Sequence, residues 1–285
     1  SNCTKDLRTR VKKQKSVQVL TPILIRRSID PMKVTHKAAV MIVFQACLDK
    51  ARFTEWNLTG WKSLNDQLDQ GKDIIRIDFF GRKKNNRKYH TYFGKDALDL
   101  LKIYLRTIRP KAREYAVKKA RKNGTEFVEA IFYTQAGTPM TGNNVANNWT
   151  NAVKKQVPRE KNGDVTTRYG TGLHNLRDVY STTLNMVDGL KPWILEFLMG
   201  HVVDANGYNT AYNDEAYMVR GYRKALRYLN ILSDETTPFN YISTSEAETF
   251  KDQLDETQNT NAYLLNQIEQ LKNQLKDQQK TYGDA

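Results

Sequence analysis

Two short stretches decide how this chain is interpreted: Gly172-Leu173-His174-Asn175-Leu176-Arg177 and Phe197-Leu198-Met199-Gly200-His201. The three-residue spacing of His174 and Arg177 places an imidazole and a guanidinium on one face of a helix. His201 directly follows an apolar helical pattern. The tyrosine-rich segment after it contains Tyr208, Tyr212 and Tyr217. Several cationic donors beside a tyrosine indicate chemistry on a phosphodiester.

The composition bounds the class of protein. The chain has 285 residues, enough for one sizeable domain plus appendages, and a net charge of +14. Its two cysteines, Cys3 and Cys47, form neither a disulfide framework nor a metal cluster. No apolar stretch is long enough to span a bilayer, and the start is not a signal peptide. We expect a cytoplasmic protein associated with the nucleoid, with no membrane partner.

The positive charge is unevenly distributed. Residues 241–285 carry a net charge of −4, which leaves +18 on residues 1–240. A charge of that size favours a polyanionic partner, because neutralised phosphates release counterions. The alternative is a basic surface that only keeps the protein soluble.

Residues 1–30 are basic and poorly periodic. We interpret them as an arm or linker that lies on a nucleic-acid backbone, or as a solvated chain end. The residues of the arm predicted to bind DNA are Lys12, Lys13, Lys15, Arg26 and Arg27.

Apolar periodicity predicts a mainly α fold with a small antiparallel β-sheet. The β-rich residues 73–80 and 88–93 predict a hairpin with a long polar tip, residues 81–87, and residues 130–133 are a further strand candidate. Helices are predicted over residues 34–51, 95–107, 111–122, 141–149, 175–187, 193–198 and 214–229.

The order of the motifs resembles that of the tyrosine recombinases, the phage-integrase family. Arg52-Phe53-Thr54-Glu55 comes first, the lysine-rich turn Gly81–Arg87 second, and His174-x-x-Arg177, Gly200-His201 and a tyrosine follow. The runs Glu196–His201 and Tyr222-Arg223-Lys224-Ala225 look closest to integrase-like recombinases of archaea and their mobile elements. The resemblance covers residues 31–233.

The resemblance implies a role for each residue that matches a motif. Arg52 and Arg177 would clamp the phosphate, and Glu55 would orient Arg52; alone, Arg52 and Glu55 would be interpreted as a surface ion pair. His174 and His201 would donate hydrogen bonds or assist proton transfer. At the hairpin tip, Lys84 would be the general acid, with Lys83 as the alternative, while Lys83 and Arg87 would contact the DNA backbone.

The nucleophile is assigned to Tyr212, because Thr210-Ala211-Tyr212-Asn213 best matches the segment that carries the tyrosine in the family. The tyrosine of the family usually lies about nine residues beyond the Gly-His pair, so this assignment implies a short insertion within residues 203–209. Tyr208 and Tyr217 remain alternatives.

The function that the resemblance implies is cleavage and rejoining of double-stranded DNA through a 3′-phosphotyrosine. It would serve site-specific recombination, integration, excision or transposition of a mobile element. We expect no metal and no other cofactor, since the sequence has no Walker-type phosphate loop and no two-metal carboxylate cluster. The alternatives are a type IB topoisomerase-like enzyme and a catalytically inactive DNA-binding protein descended from a recombinase.

The C-terminal segment has a different composition. Residues 234–247 are interpreted as a linker and residues 248–281 as a coiled-coil helix, and the resemblance to the recombinases implies that residues 31–233 are the catalytic domain. Alternating spacings of four and three define the seam, which contains Phe250, Leu254, Thr257, Asn261, Leu264, Ile268, Leu271, Leu275 and Gln278. We expect a dimer through this seam and higher-order assembly on DNA. The alternative is a helix that folds back on the catalytic domain.

Overall fold

The computed structural model describes residues 20–79, 88–157, 170–201, 203 and 211–233. The chain divides into two compact units, residues 1–237 and 238–285, and the described residues all belong to the first. They form helices and one two-stranded antiparallel sheet, which confirms the predicted class. The elements are α1 (Pro22–Ile29), α2 (Val34–Gln45), α3 (Lys50–Thr59), α4 (Trp61–Asp69), β1 (Ile75–Phe79), β2 (Tyr89–Phe93), α5 (Lys95–Thr107), α6 (Arg109–Asn123), α7 (Gly142–Gln156), α8 (Leu176–Asn185), α9 (Pro192–Leu198) and α10 (Glu215–Leu229).

Helix α2 is the centre of the core. All its side chains from Ala38 to Gln45 are buried, because α5, α7, α8 and α10 pack around it. A helix that is apolar on every side is typical of such a position. The segment that follows α2, residues 46–48, is also buried, and it carries part of the candidate site.

The sheet is a hairpin between two layers of helices. Its register pairs Ile75 with Phe93 and Phe79 with Tyr89. Because side chains alternate along a strand, the two faces of β2 contact different helices. On one face, Phe93 packs against Trp56 of α3; on the other, His90 contacts Phe197 of α9. Strand β2 is thus a wall shared by α3 and α9.

The N-terminal arm is shorter than predicted, because Pro22–Ile29 forms α1 rather than a linker. Thr21 caps the helix by accepting a hydrogen bond from the Leu24 amide, and Pro22 stands at its first turn. Ile25 and Ile29, four residues apart, are fully buried, and α1 packs against α7. The four-residue spacing of these two isoleucines indicates a helix, but the basic composition of residues 1–30 favoured interpretation as a linker.

The prediction of one helix over residues 34–51 is wrong in its second part. Helix α2 ends at Gln45 and α3 begins at Lys50, because Cys47 adopts a left-handed conformation with φ of 55°. Asp49 then caps α3 by accepting a hydrogen bond from the Arg52 amide. The interruption allows α3 to leave in a new direction.

Residues 130–133 do not form a strand, contrary to the sequence prediction. Among the described residues, their ladder contact is a single bridge between Tyr133 and Pro139. The buried Asn57 side chain takes the place of a second strand, because it accepts from the Phe132 amide and donates to the carbonyls of Phe132 and Met140. These bonds hold the segment against α3.

The other predicted helices are confirmed, with one or two residues of difference at most ends and a longer extension in α7. Helix α6 ends at Asn123 and is followed by its C-cap Gly124, whose φ of 62° suits glycine, and α10 is capped by Asp214. Helix α7 continues to Gln156, beyond the predicted end at Trp149. No helix in the described ranges combines the length and the apolar character required to cross a bilayer.

Candidate functional site

Arg52 lies one turn into α3 and is 8% exposed. Its Nη1 donates to Oε2 of Glu55 at 2.5 Å, one helical turn later. The guanidinium also lies over two aromatic rings of the hairpin, 5.1 Å from the Phe79 centroid and 5.4 Å from the Tyr89 centroid. The predicted pairing of Arg52 with Glu55 is therefore present, and the arginine is buried rather than part of a surface ion pair.

Arg177 lies on α8 and is 6% exposed. Its Nη1 donates to the Cys47 carbonyl at 2.5 Å, and its Nη2 donates to the Met199 carbonyl at 3.0 Å. No carboxylate lies within 4 Å of its guanidinium among the described residues. Each terminal nitrogen of arginine carries two N–H groups. After these two bonds, one N–H on each nitrogen can still donate a hydrogen bond to an anion.

The Gly200-His201 turn follows α9. Gly200 has φ of 73°, which glycine adopts at no steric cost, and a Cβ there would lie 2.8 Å from Cζ of Tyr89. His201 is exposed at 40% of its side chain, and its Nδ1 is 2.6 Å from Oε2 of Glu196. A carboxylate on one ring nitrogen orients the imidazole of this exposed side chain.

A series of side-chain contacts and neighbouring residues connects Arg52, Arg177 and the Gly200-His201 turn. Arg52 lies on Tyr89, and Tyr89 packs against Gly200. The neighbouring residue, Met199, accepts a hydrogen bond from Arg177, which also bonds to Cys47, two residues before the cap of α3. Three motifs that are far apart in the sequence therefore meet at one place.

His174 lies in a 3₁₀ turn, Leu173–Asn175, directly before α8 and is exposed. The indole of Trp149 on α7 donates to the Thr171 carbonyl at 2.8 Å and so holds the start of this segment. His174 therefore lies three residues before Arg177 in the sequence and at the surface. An exposed imidazole there is available to a ligand.

Tyr212 lies in a 3₁₀ turn, Ala211–Asn213, and is partly buried. Its ring stacks on Phe197 of α9, with centroids 5.0 Å apart and planes at 16°. Tyr217 instead stacks on Trp193, about one turn nearer the start of α9, at 6.0 Å. Of these two tyrosines, Tyr212 is therefore the one beside the end of α9 that leads into Gly200-His201.

Several predicted residues lie outside the described ranges. They are Lys12, Lys13 and Lys15 of the arm, Lys83, Lys84 and Arg87 of the hairpin tip, and the alternative nucleophile Tyr208. The linker 234–247 and the coiled-coil segment 248–281 also lie outside them. Arg26 and Arg27 are described, and both are exposed on α1.

The sequence analysis missed four residues that build the site: Cys47, Phe79, Tyr89 and Phe197. The sequence did contain a signal for the two hairpin aromatics, because they flank the predicted polar tip and pair with each other across the two strands. Cys47 had none, since it contributes a backbone carbonyl and a left-handed conformation. Phe197 belongs to a quoted motif, but nothing in its position indicated a contact with Tyr212.

Burial behind the site changes the protonation of His90. Desolvation by burial, together with the positive charge of Arg76, lowers the pKa of this histidine to about 4. Its ring packs edge-on against Tyr92 and Phe197. His90 is therefore neutral at physiological pH. Its ring packs against Phe197, the residue on which Tyr212 stacks.

The described residues contain no group of three or more His, Cys, Asp or Glu side chains placed to hold a metal ion. The candidate donors are cationic or neutral: the guanidiniums of Arg52 and Arg177, the imidazole of His201 beside the same turn, and the exposed imidazole of His174. Such a set recognises an anion with several oxygens, and the planar donor pattern of arginine matches phosphate.

A scan against protein-family models and a search of curated proteins both found no match for this chain. The proposal that follows therefore depends on the motifs and the contacts between them.

Proposed function

We propose that this protein cleaves and rejoins double-stranded DNA through a 3′-phosphotyrosine, as a recombinase of a mobile element acting in integration, excision or transposition. The observation that carries the proposal is the buried Arg177 guanidinium, which bonds to carbonyls of Cys47 and Met199 and meets no carboxylate among the described residues. A buried charge without a counter-ion is costly. A phosphate at this place supplies a negative charge that the described residues do not.

The roles of the residues follow from this arrangement. Arg52 and Arg177 hold the non-bridging oxygens of the scissile phosphate, and the contact with Glu55 keeps Arg52 oriented. The phenolic oxygen of Tyr212 forms a bond to phosphorus as its proton passes to solvent, and the bond from phosphorus to the 5′ oxygen breaks. The leaving oxygen takes a proton from Lys84 or Lys83 and departs as a 5′ hydroxyl.

His174 and His201 complete the set by donating hydrogen bonds to the phosphate as negative charge develops. The proposal needs no nucleotide, because the phosphotyrosine bond retains the energy for rejoining. Cleavage should therefore continue in EDTA and without ATP. A strict magnesium requirement for the cleavage step would contradict the mechanism.

The proposal is tested with a pool of nicked duplexes of randomised sequence. Cleavage close to the nick releases a short 5′-hydroxyl fragment that diffuses away, so the protein stays attached. Denaturing electrophoresis should show a covalent adduct with the wild-type protein. Tyr212→Phe should abolish the adduct and retain DNA binding; an adduct of normal yield in this variant would exclude Tyr212.

The arginines are tested in the same assay. Arg52→Ala and Arg177→Ala should each lower the cleavage rate by on the order of 10² or more, because a preorganised charge donor is lost. Arg106→Ala removes an exposed arginine of α5 and is the matched control, with no change in rate expected. Equal effects of all three variants would show that only the overall charge matters.

Complete recombination requires several protomers, and in this proposal residues 248–281 join them as a coiled coil. Sedimentation of the full chain should give a dimer, and a chain ending at Ser233 should give a monomer that still cleaves DNA. Leu271→Asp should have the same effect as truncation, since it places a charge in the seam. An unchanged mass in both variants would remove the argument for this interface.

Relaxation of supercoiled DNA by the monomer without strand exchange would favour the topoisomerase alternative.

A further inference from the structure

The last paired residues of the hairpin form an aromatic platform, defined as Phe79 and Tyr89. They lie directly opposite each other in the register of β1 and β2, and their rings stack with centroids 5.1 Å apart and planes at 27°. Phe79 is 1% exposed and Tyr89 is 9% exposed. The platform is therefore a rigid, desolvated surface, because close packing on both strands fixes the two rings.

Arg52 is held between this platform and a carboxylate. Its guanidinium lies 5.1 and 5.4 Å from the two ring centroids, within the distance at which a cation is attracted to an aromatic face. Nη1 donates to Glu55. Contact with the rings restricts the orientation of the guanidinium plane, in addition to the ion pair with Glu55.

The same platform also supports the turn that carries His201. The Tyr89 ring lies where a side chain at Gly200 would be, because a Cβ there would approach Cζ of Tyr89 to 2.8 Å. Gly200 is thus required both by its φ of 73° and by the ring. One tyrosine side chain therefore contacts two motifs that come from different ends of the chain.

We propose that Tyr89 is a positioning residue that, with Phe79, fixes Arg52 relative to the Gly200-His201 turn for the reaction. The inference rests on the proposed function. Tyr89 does not contact the phosphate; it acts through Arg52 and through the turn. Both contacts are made by the ring, so the phenolic hydroxyl is dispensable for this role.

The test is a double-mutant cycle on single-turnover cleavage of the nicked duplexes. Tyr89→Leu should lower the rate about tenfold to a hundredfold at saturating DNA, because small displacements of a reacting group have effects of that size. Tyr89→Phe should retain the rate within about threefold, since the ring remains. DNA affinity should be nearly unchanged in both variants.

The cycle separates positioning from stability. In the Arg52→Ala background, Tyr89→Leu should lower the rate much less than in the wild type, because its effect passes largely through the missing guanidinium. Tyr92→Leu is the matched control: Tyr92 is a buried tyrosine of the same strand that packs against Tyr222. Any effect of Tyr92→Leu should be additive with Arg52→Ala.

Each outcome decides the inference. Additive effects of Tyr89→Leu and Arg52→Ala, together with a normal wild-type adduct, would overturn the positioning role and leave the proposed function intact. No adduct with the wild-type protein would overturn both. If Tyr89→Leu fails to fold, Phe79→Leu takes its place in the cycle, because it removes the other ring of the platform and keeps an apolar side chain.

Discussion

At the scale of single residues, Arg177 shows that burial and bonding partners, rather than residue type, distinguish a candidate site residue. The sequence predicted it from His174-x-x-Arg177, but its partners are the carbonyls of Cys47 and Met199. Every residue has a carbonyl, so no sequence pattern marks which ones accept this guanidinium. What distinguishes Arg177 from the exposed arginines is therefore its burial and its lack of a carboxylate among the described side chains.

His90 gives a prediction for stability against pH. Its pKa is about 4 in the fold and about 6.5 in an unfolded chain, so the unfolded state binds more protons between these values. The contribution of His90 to the free energy of unfolding is present above pH 6.5, and it decreases as the pH is lowered through the unfolded pKa. From pH 7 to pH 5 this one group should remove about 2 kcal/mol, measured by urea unfolding.

The control for His90 is His90→Phe, which keeps an aromatic ring between Tyr92 and Phe197 and cannot titrate. The variant should lose about 2 kcal/mol less than the wild type over the same pH range. His36 also has a lowered pKa because it is partly buried, and its contribution remains in both proteins. Equal pH dependence in both would contradict the assignment.

At the scale of elements, Gln45 shows how the helices around the site are joined. Its Nε2 donates to the Leu229 carbonyl and to Oδ1 of Asn230, and its Oε1 accepts from the Gly94 amide. The Tyr222 hydroxyl donates to the Gln45 carbonyl. The end of α2, the end of the hairpin and the end of α10 therefore meet at one buried amide.

Gln45→Ala should destabilise the protein by about 3 kcal/mol, because it leaves the Gly94 amide and the Leu229 carbonyl buried without this partner. The free energy of unfolding in urea measures this effect. Gln70→Ala, at an exposed glutamine after α4, is the control and should change stability by no more than about 0.5 kcal/mol. Similar values for the two variants would show that the junction is not required.

The sequence predicts elements where apolar periodicity decides them, as in α5, α6 and α10, whose limits agree with the structure to within about two residues. It fails where a distant side chain replaces local pairing, as Asn57 does for residues 130–133. It also fails at the interruption after α2, since no local signal predicts a left-handed Cys47. The motifs predicted the arginines and histidines of the site, but the aromatic residues that hold them are defined only by packing.

At the scale of the whole molecule, the net charge of +18 on residues 1–240 predicts DNA binding that weakens steeply with salt. Arg26 and Arg27 are exposed on a folded helix, so they can be changed without loss of the fold. Replacing both with Ala should make the slope of log K against log salt shallower by about 1 to 2. Arg26→Lys with Arg27→Lys keeps both charges and should keep the slope.

The basic arm is tested separately by removing residues 1–19, which leaves Thr21 and Pro22 to start α1. The slope should become shallower if Lys12, Lys13 and Lys15 contact phosphate. An unchanged slope would show that these lysines form a chain end without contact to DNA.

The central claim is that a tyrosine beside the Arg177 site becomes covalently attached to DNA. The most direct measurement traps the wild-type adduct, digests the protein and the DNA, and identifies by tandem mass spectrometry the residue that carries the nucleotide. The account predicts a 3′-nucleotide on Tyr212, the tyrosine stacked on Phe197. A nucleotide on Tyr208, on Tyr217 or on any other residue, or no nucleotide at all, would contradict it.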